Sequence, residues 1–186
     1  MSVNFTIIIP NKNRLFLSVP DHTNHTNQSN FLIKALQNQS KKDFKLIIVD
    51  GGSDNYELVK SNFEKIKEFE VSVLSYPCKW NKCKLNNYAI RRANTEYIMC
   101  TDADIFFEKQ FVEYLSSHFR PDLFLESRTM YWKWDIFGKI IKNELDPFNN
   151  IESCRHGRLK RATTCGGCQC GHIDIWNKIR GYDERY

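Results

Sequence analysis

No apolar run in this 186-residue sequence is long enough to cross a bilayer, which excludes a helical membrane span. The first residues, Met1-Ser2-Val3-Asn4, lack a basic segment followed by an apolar one. No secretory signal is therefore expected, and the expected location is the cytoplasm or the cytoplasmic face of a membrane. Without such a signal the glycosylation triplets at Asn24, Asn27 and Asn38 carry little meaning. A paired cysteine framework is lacking too: seven is an odd count, so reduced thiols are expected. Nor does one charge dominate. Lys and Arg number 27 against 22 Asp and Glu, and the densest basic group is Arg155, Arg158, Lys160 and Arg161. That group reads as a solvated loop that would also suit a phosphate-bearing ligand, and nucleic acid is not an expected partner. Nothing in the composition calls for a second core, so one α/β domain over residues 1–186 is expected.

What the chain does have is a series of short, continuously apolar runs that each end on a polar group. Phe5-Thr6-Ile7-Ile8-Ile9-Pro10 reads as a strand stopped by proline, followed by the polar turn Asn11 to Arg14 and a surface loop from Ser18 to Asn30. A short helix is expected over Phe31 to Asn38, a strand over Phe44 to Asp50, and a turn over Gly51 to Asn55. A helix from Tyr56 to Phe69, a strand from Val71 to Tyr76, a lysine-rich turn from Lys79 to Lys84 and a helix from Leu85 to Ala93 follow. The next strand, from Glu96, ends on Asp102-Ala103-Asp104. Apolar runs of this kind suit strands buried on both faces, and strands alternating with helices suit a parallel sheet. Ligands bind such sheets at the carboxyl ends of the strands, where Pro10 to Arg14, Asp50 to Asn55 and Asp102 to Asp104 would converge.

Asp102 and Asp104, one residue apart at a strand end, can both approach one hard divalent cation, and oxygen ligation with open positions suits Mg²⁺ or Mn²⁺ on a diphosphate. The plainer reading is that either aspartate caps a helix from Glu108 to His118. Cys165-Gly166-Gly167-Cys168-Gln169-Cys170-Gly171-His172 has the composition of a zinc site, although a second ligand pair would have to come from Cys154 and His156 at no recognised spacing. Leu123 to Met130 suggests another strand. Tyr131-Trp132-Lys133-Trp134 offers aromatic faces that either stack on a sugar or pack in the core. Ile173 to Arg180 reads as a helix ended by Gly181, with Trp176 on its inner face.

Four segments in order and spacing resemble the family 2 inverting glycosyltransferases of the GT-A fold: Ile7 to Arg14, Ile47 to Ser53, Asn87 to Ala93, and Thr101 to Asp104. The resemblance covers the chain except for about Leu123 to Arg161. Gly166 to Gln169 and Trp176 to Arg185 are similar to the segment that leads into a Trp-Gly-x-Glu-Asp motif in chondroitin-polymerase-like and galactosyltransferase-like members. The resemblance implies an α/β GT-A (nucleotide-diphospho-sugar transferase) Rossmann-like fold with a mostly parallel central sheet. It implies a nucleoside-diphosphate sugar donor, first of all a UDP-sugar, a glycan or other hydroxyl acceptor, and Mn²⁺ or Mg²⁺.

By the same resemblance, Asp50 contacts the base or ribose, and the plainer alternative is that it caps the turn that follows it. Pro10, Asn11, Asn13 and Arg14 wall the base and approach the phosphates, with Ser53, Asn87 and Ala103 in the same donor-binding set. Asp104 ligates the metal, and Asp102 contacts the ribose or a metal-bound water. Gly51, Asn55 and Lys12 depart from the pattern and leave the base open. The carboxylate that takes the acceptor proton belongs, in the family, beyond Tyr186; Asp183 and Glu184 are the substitutes within the chain. The expected activity is hexosyl transfer in glycan or polysaccharide synthesis. A donor-binding module without turnover is the alternative, and a zinc-containing nucleic-acid-binding protein is the third reading.

Overall fold

A computed structural model describes residues 5–15, 32–128, 130–132, 134–141, 144–146, 149, 154–156 and 165–185. The strands are β1 (Phe5–Asn11), β2 (Lys45–Asp50), β3 (Glu70–Ser75), β4 (Tyr97–Thr101), β5 (Phe124–Arg128), β6 (Met130–Trp132), β7 (Cys154–His156) and β8 (Cys165–His172). The helices are α1 (32–37), α2 (Tyr56–Phe63), α3 (Lys82–Ile90), α4 (Phe111–Ser117), α5 (Trp134–Ile141) and α6 (Ile173–Ile179). Six strands form one sheet in the order β3-β2-β1-β4-β8-β5, while β6 and β7 pair separately. β1 to β4 are mutually parallel; β8 runs antiparallel between β4 and β5. The expected mostly parallel α/β sheet is what the chain forms, and β8 makes it mixed.

The isoleucine run explains the layering. Alternate side chains of β1 enter opposite layers: Ile7 and Ile9 join Leu32 and Leu36 of α1, Val59 and Phe63 of α2, and Val112 of α4. Ile8 joins Leu85, Ala89 and Ile90 of α3 and Trp176 of α6. The sheet is thus covered on both faces, which is why its central strands carry no polar alternation. Trp176 is nearly fully buried, and its indole N–H donates to the Ile98 carbonyl at 3.2 Å. Among the described residues no helix is long and apolar enough to cross a membrane.

Several boundaries differ from the sequence reading for local reasons. α3 starts three residues before Leu85 because Asn81 caps it, its side chain accepting from Lys84 N at 2.8 Å. α2 ends at Phe63 rather than Phe69. α4 begins at Phe111 with Gln110 at its N-cap, so neither Asp102 nor Asp104 caps it. The expected strand over Leu123 to Met130 is two short strands, β5 and β6. β1 continues one residue past Pro10, yet its ladder to β4 stops at Ile8 opposite Cys100 while its ladder to β2 runs on to Asn11 opposite Asp50. The prolyl nitrogen, which cannot donate, therefore falls where β1 has already parted from β4. The loop expected over Ser18 to Asn30, the side chains of Tyr131 to Trp134, and Arg158, Lys160 and Arg161 lie outside the described residues.

Candidate functional site

From β1 the chain steps outward to β2 and β3, then returns to place β4 on the other side of β1. That reversal opens a crevice at the carboxyl ends of β1 and β4, the position where open α/β sheets take ligands. Three hydrogen-bonded groups line the surrounding strand ends.

The first group ties β1 to β2. Asp50 is fully buried, and its carboxylate accepts four hydrogen bonds. Gly52 N and Ser53 N donate to Oδ1 at 2.9 and 2.7 Å, and Asn11 Nδ2 and the Ser53 hydroxyl each donate to Oδ2 at 2.6 Å. Asn11, also fully buried, accepts from the Arg14 and Leu15 amides through Oδ1. Asn13 holds a left-handed backbone (φ 52°) while its amide N–H donates to Ser53 Oγ and its side chain exchanges two hydrogen bonds with Asp54. Of the two roles open to Asp50, the geometry displays the turn anchor, since both oxygens are taken up by the chain itself. Arg14 is exposed at the rim. Lys12 Nζ reaches the Cys78 carbonyl at 2.6 Å and closes the loop after β3 over the same edge.

The second group is at the tip of β4. Asp102 forms an ion pair with Lys82, the first residue of α3. Asp104 is exposed and has no partner among the described residues. Ala103, between them, packs on the core. One helical turn beyond Lys82, Asn86 is fully buried, and neither its side-chain nitrogen nor its oxygen has a hydrogen-bond partner among the described residues. Such an orphaned amide carries a desolvation cost of roughly 1–3 kcal/mol. Asn86→Leu, close in volume, is therefore expected to stabilise the ligand-free chain by about 1–2 kcal/mol, measured as a higher urea midpoint at unchanged slope. A lower midpoint would show that the amide is paired in solution.

The third group gathers around Asn87, whose side chain is turned to the last described segment of the chain. Asn87 Oδ1 accepts from Tyr182 N at 2.8 Å, and Nδ2 donates to the Tyr182 carbonyl and to Glu184 Oε1, both at 2.9 Å. Asn81 Nδ2 donates to the Glu184 carbonyl at 2.9 Å. Tyr182 in turn donates its hydroxyl to Gln169 Oε1 at 2.7 Å, and Gln169 donates to Glu126. Burial pushes the Tyr182 hydroxyl well above its ordinary range, so it stays a donor. Neither candidate base is free. Glu184 Oε1 accepts from Asn87, and Asp183 is gripped by Arg185, whose guanidinium donates at 2.5 to 3.1 Å and holds that carboxyl below the usual carboxylate range. A carboxylate held down in this way is a poor proton acceptor.

The cysteine cluster takes another form than a zinc site. Cys165 to His172 is β8; Cys168 and Cys170 are buried in the core, and His172 caps α6 by accepting from Asp174 N. Burial raises the Cys168 and Cys170 thiols and pushes Cys100, opposite Gln169, up to about 12. Burial of this kind favours the protonated thiol in the metal-free chain. Among the described residues no three His, Cys, Asp or Glu side chains are grouped to hold a metal. Sequence reasoning missed Lys82 and Asn86. Lys82 stood in view as part of a lysine-rich turn; its position just ahead of the helix expected from Leu85 was the available signal, whereas Asn86 gave none.

The fold and these groups can be set beside known proteins. No curated protein sequence matches the chain. Among solved structures, the mannosyltransferase PcManGT from Pyrobaculum calidifontis, in complex with GDP-Man and Mn²⁺, aligns with a TM-score of 0.62 at 14% identity, covering 97% of this chain and 47% of its own. S. aureus TarS 1-349 aligns at 0.59 with 12% identity over 98% of this chain and 51% of that one. Its complex with UDP-GlcNAc aligns at 0.50 with 18% identity over 62% and 30%. The 4-diphosphocytidyl-2C-methyl-D-erythritolsynthase from Anaerococcus prevotii DSM 20548 aligns at 0.60 with 9% identity over 96% and 74%. At these identities the likeness is one of fold, and the chain spans about half the length of the mannosyltransferase and of TarS 1-349. The sequence model of glycosyl transferase family 2 matches residues 6–124, which contain β1 from its second residue, β2 to β4, α3 and both aspartates at the tip of β4. This chain belongs to glycosyl transferase family 2.

Proposed function

We propose that residues 1–186 form one domain whose crevice binds a nucleoside-diphosphate sugar with Mn²⁺ or Mg²⁺ for transfer of the sugar, with inversion, to a hydroxyl acceptor in glycan synthesis. The observation that carries this reading is Asp104: an exposed carboxylate without a partner among the described residues, at the end of a central strand in a family 2 chain. The donor set fits a hard cation. Asp102 and Asp104 present only oxygen, and Asp102 already holds one positive charge, the Lys82 ammonium. Bound there, the metal ion would supply charge stabilisation to a departing diphosphate. The nearest support from other proteins is that PcManGT is described with GDP-Man and Mn²⁺, and TarS with UDP-GlcNAc.

The roles of the remaining residues follow from their contacts. Asp50, Asn11 and Ser53 shape the β1 and β2 ends as a rigid ledge, and Asn13 extends it toward Asp54. Pro10 and Arg14 lie beside that ledge, and Arg14 is the exposed cation available to a phosphate. Asp104→Ala is expected to weaken Mn²⁺-dependent binding of UDP or GDP by about a hundredfold or more, because even groups one shell behind a metal ligand are worth roughly 10- to 100-fold. Calorimetric titration checks this, and unchanged Mn²⁺-dependent affinity for both nucleotides would sink the assignment.

A second reading has its own observation. Asp183 and Glu184 are both engaged, so the described residues present the donor side of the reaction without a free base. A donor-binding module with no turnover would show Mn²⁺-dependent nucleotide-sugar binding together with neither hydrolysis nor transfer across a donor panel.

A further inference from the structure

We propose that Lys82 is a built-in counter-cation: it occupies Asp102 while the crevice is empty and moves to the diphosphate when one binds, leaving Asp102 to the incoming metal. This rests on the donor-binding reading above and adds to it an exchange of partners within the site.

The first observation is the ion pair. α3 returns antiparallel to the strands it follows and precedes, so its N-terminal end, capped by Asn81, lies at the carboxyl ends of the strands. Lys82 projects from that end to Asp102. The two side chains keep 35% and 37% of their exposure, so the pair sits at a surface where a stronger anion competes for the ammonium. A diphosphate brings more than one negative charge; Asp102 brings one.

The second observation is independent of the first. Residues four apart on a helix lie on the same stripe, one turn apart. Asn86 is therefore one turn farther along α3 than Lys82, on the Lys82 stripe, and its carboxamide is fully buried with neither polar atom bonded among the described residues. Buried amides are nearly always paired. In the exchange, Lys82 drawn outward would leave the stripe above Asn86 open to water or to a ligand oxygen that could pair it.

The charges balance through the exchange. Before binding, Lys82 neutralises Asp102, and Asp104 has no counter-charge among the described residues. After binding, Lys82 faces one phosphate charge, and the two aspartates together face the divalent ion. Lys82 thus disfavours metal binding in the absence of nucleotide and favours the metal and diphosphate together.

The experiment compares the wild type with Lys82→Met and Lys82→Arg. Free Mn²⁺ is followed by electron paramagnetic resonance with MnCl₂ alone, and UDP and GDP are titrated calorimetrically in the presence of Mn²⁺. Lys82→Met is expected to bind Mn²⁺ alone about threefold to fivefold more tightly, the scale of a half-exposed ion pair. The same variant is expected to bind the nucleotide with Mn²⁺ about tenfold more weakly, having lost one charge-assisted contact. Lys82→Arg keeps the cation and should stay close to the wild type in both, and near-UV circular dichroism verifies that each variant is folded. Opposite shifts in Lys82→Met support the exchange. Shifts in the same direction, or an unchanged affinity for Mn²⁺ alone, overturn it while leaving donor binding intact. A wild type that binds neither nucleotide with Mn²⁺ overturns the donor-binding reading itself, and the exchange with it.

Discussion

Asp50→Ala is expected to lower stability by about 3–4 kcal/mol, since four donors lose one acceptor and each orphaned group costs about 1 kcal/mol. The donors are Gly52 N, Ser53 N, Asn11 Nδ2 and the Ser53 hydroxyl, and the carboxylate they share is fully buried. Water does not reach this place to replace it. The loss falls at the junction of β1 and β2, the most central pairing of the parallel sheet, so the whole fold and not a loop should register it. Urea unfolding checks the prediction as a fall in midpoint at unchanged slope. Asp50→Asn separates the two roles considered for this residue. It keeps one oxygen for the Gly52 and Ser53 amides but turns an NH₂ group toward Asn11 Nδ2, so it should cost about half as much. A residue whose task is to contact a nucleotide base would show the reverse: an unchanged midpoint with loss of nucleotide affinity.

Gly181→Ala should undock the end of the chain from α3. Gly181 has φ +74°, where a side chain adds roughly 1–2 kcal/mol of strain, and its new Cβ would overlap Asn87 Oδ1. That oxygen accepts from Tyr182 N, and its partner nitrogen holds Glu184, so the clash breaks the contacts that fix this segment. A total cost of about 2–3 kcal/mol is expected, capped by the local stability of residues 180–185. The readout is faster hydrogen exchange and proteolysis after Arg180 and Arg185, with the core of the sheet unchanged. Asn87→Ala removes the same contacts together with the overlap, so the double variant should lose less than the sum of the two single variants. Additive losses would mean that the two residues do not act through one contact.

The sequence was most legible where one physical requirement governed a whole run. Ile7-Ile8-Ile9 and Leu46-Ile47-Ile48-Val49 are apolar at every position because both faces of their strands are covered, and no other arrangement of such short runs is as economical. Placement of Asp102 and Asp104 at a strand tip followed from the same run structure. Legibility failed where the deciding contact lay far along the chain. Asn87 and Tyr182 are separated by 95 positions and Lys82 and Asp102 by a helix and a strand, and nothing local marks either pair. β8 was obscured for another reason. Cys165 to His172 contains no β-branched or aromatic residue, so its propensity is that of a loop, and it is a strand because β4 and β5 supply ladders on both sides. Cys168 and Cys170 look like ligands in one dimension and are core in three.

The way β8 holds β4 has a consequence for how the chain can vary. Thr101 Oγ1 and Asp102 N both donate to a single acceptor, the Gly167 carbonyl, at 2.8 and 3.2 Å. The aim of the two carboxylates is therefore set by a main-chain oxygen, a group that every amino acid carries. The acceptor itself needs no particular side chain at position 167, whereas an insertion or deletion of one residue before Gly167 would shift the oxygen out of reach. Homologous chains should accordingly agree in the number of residues that lead up to it.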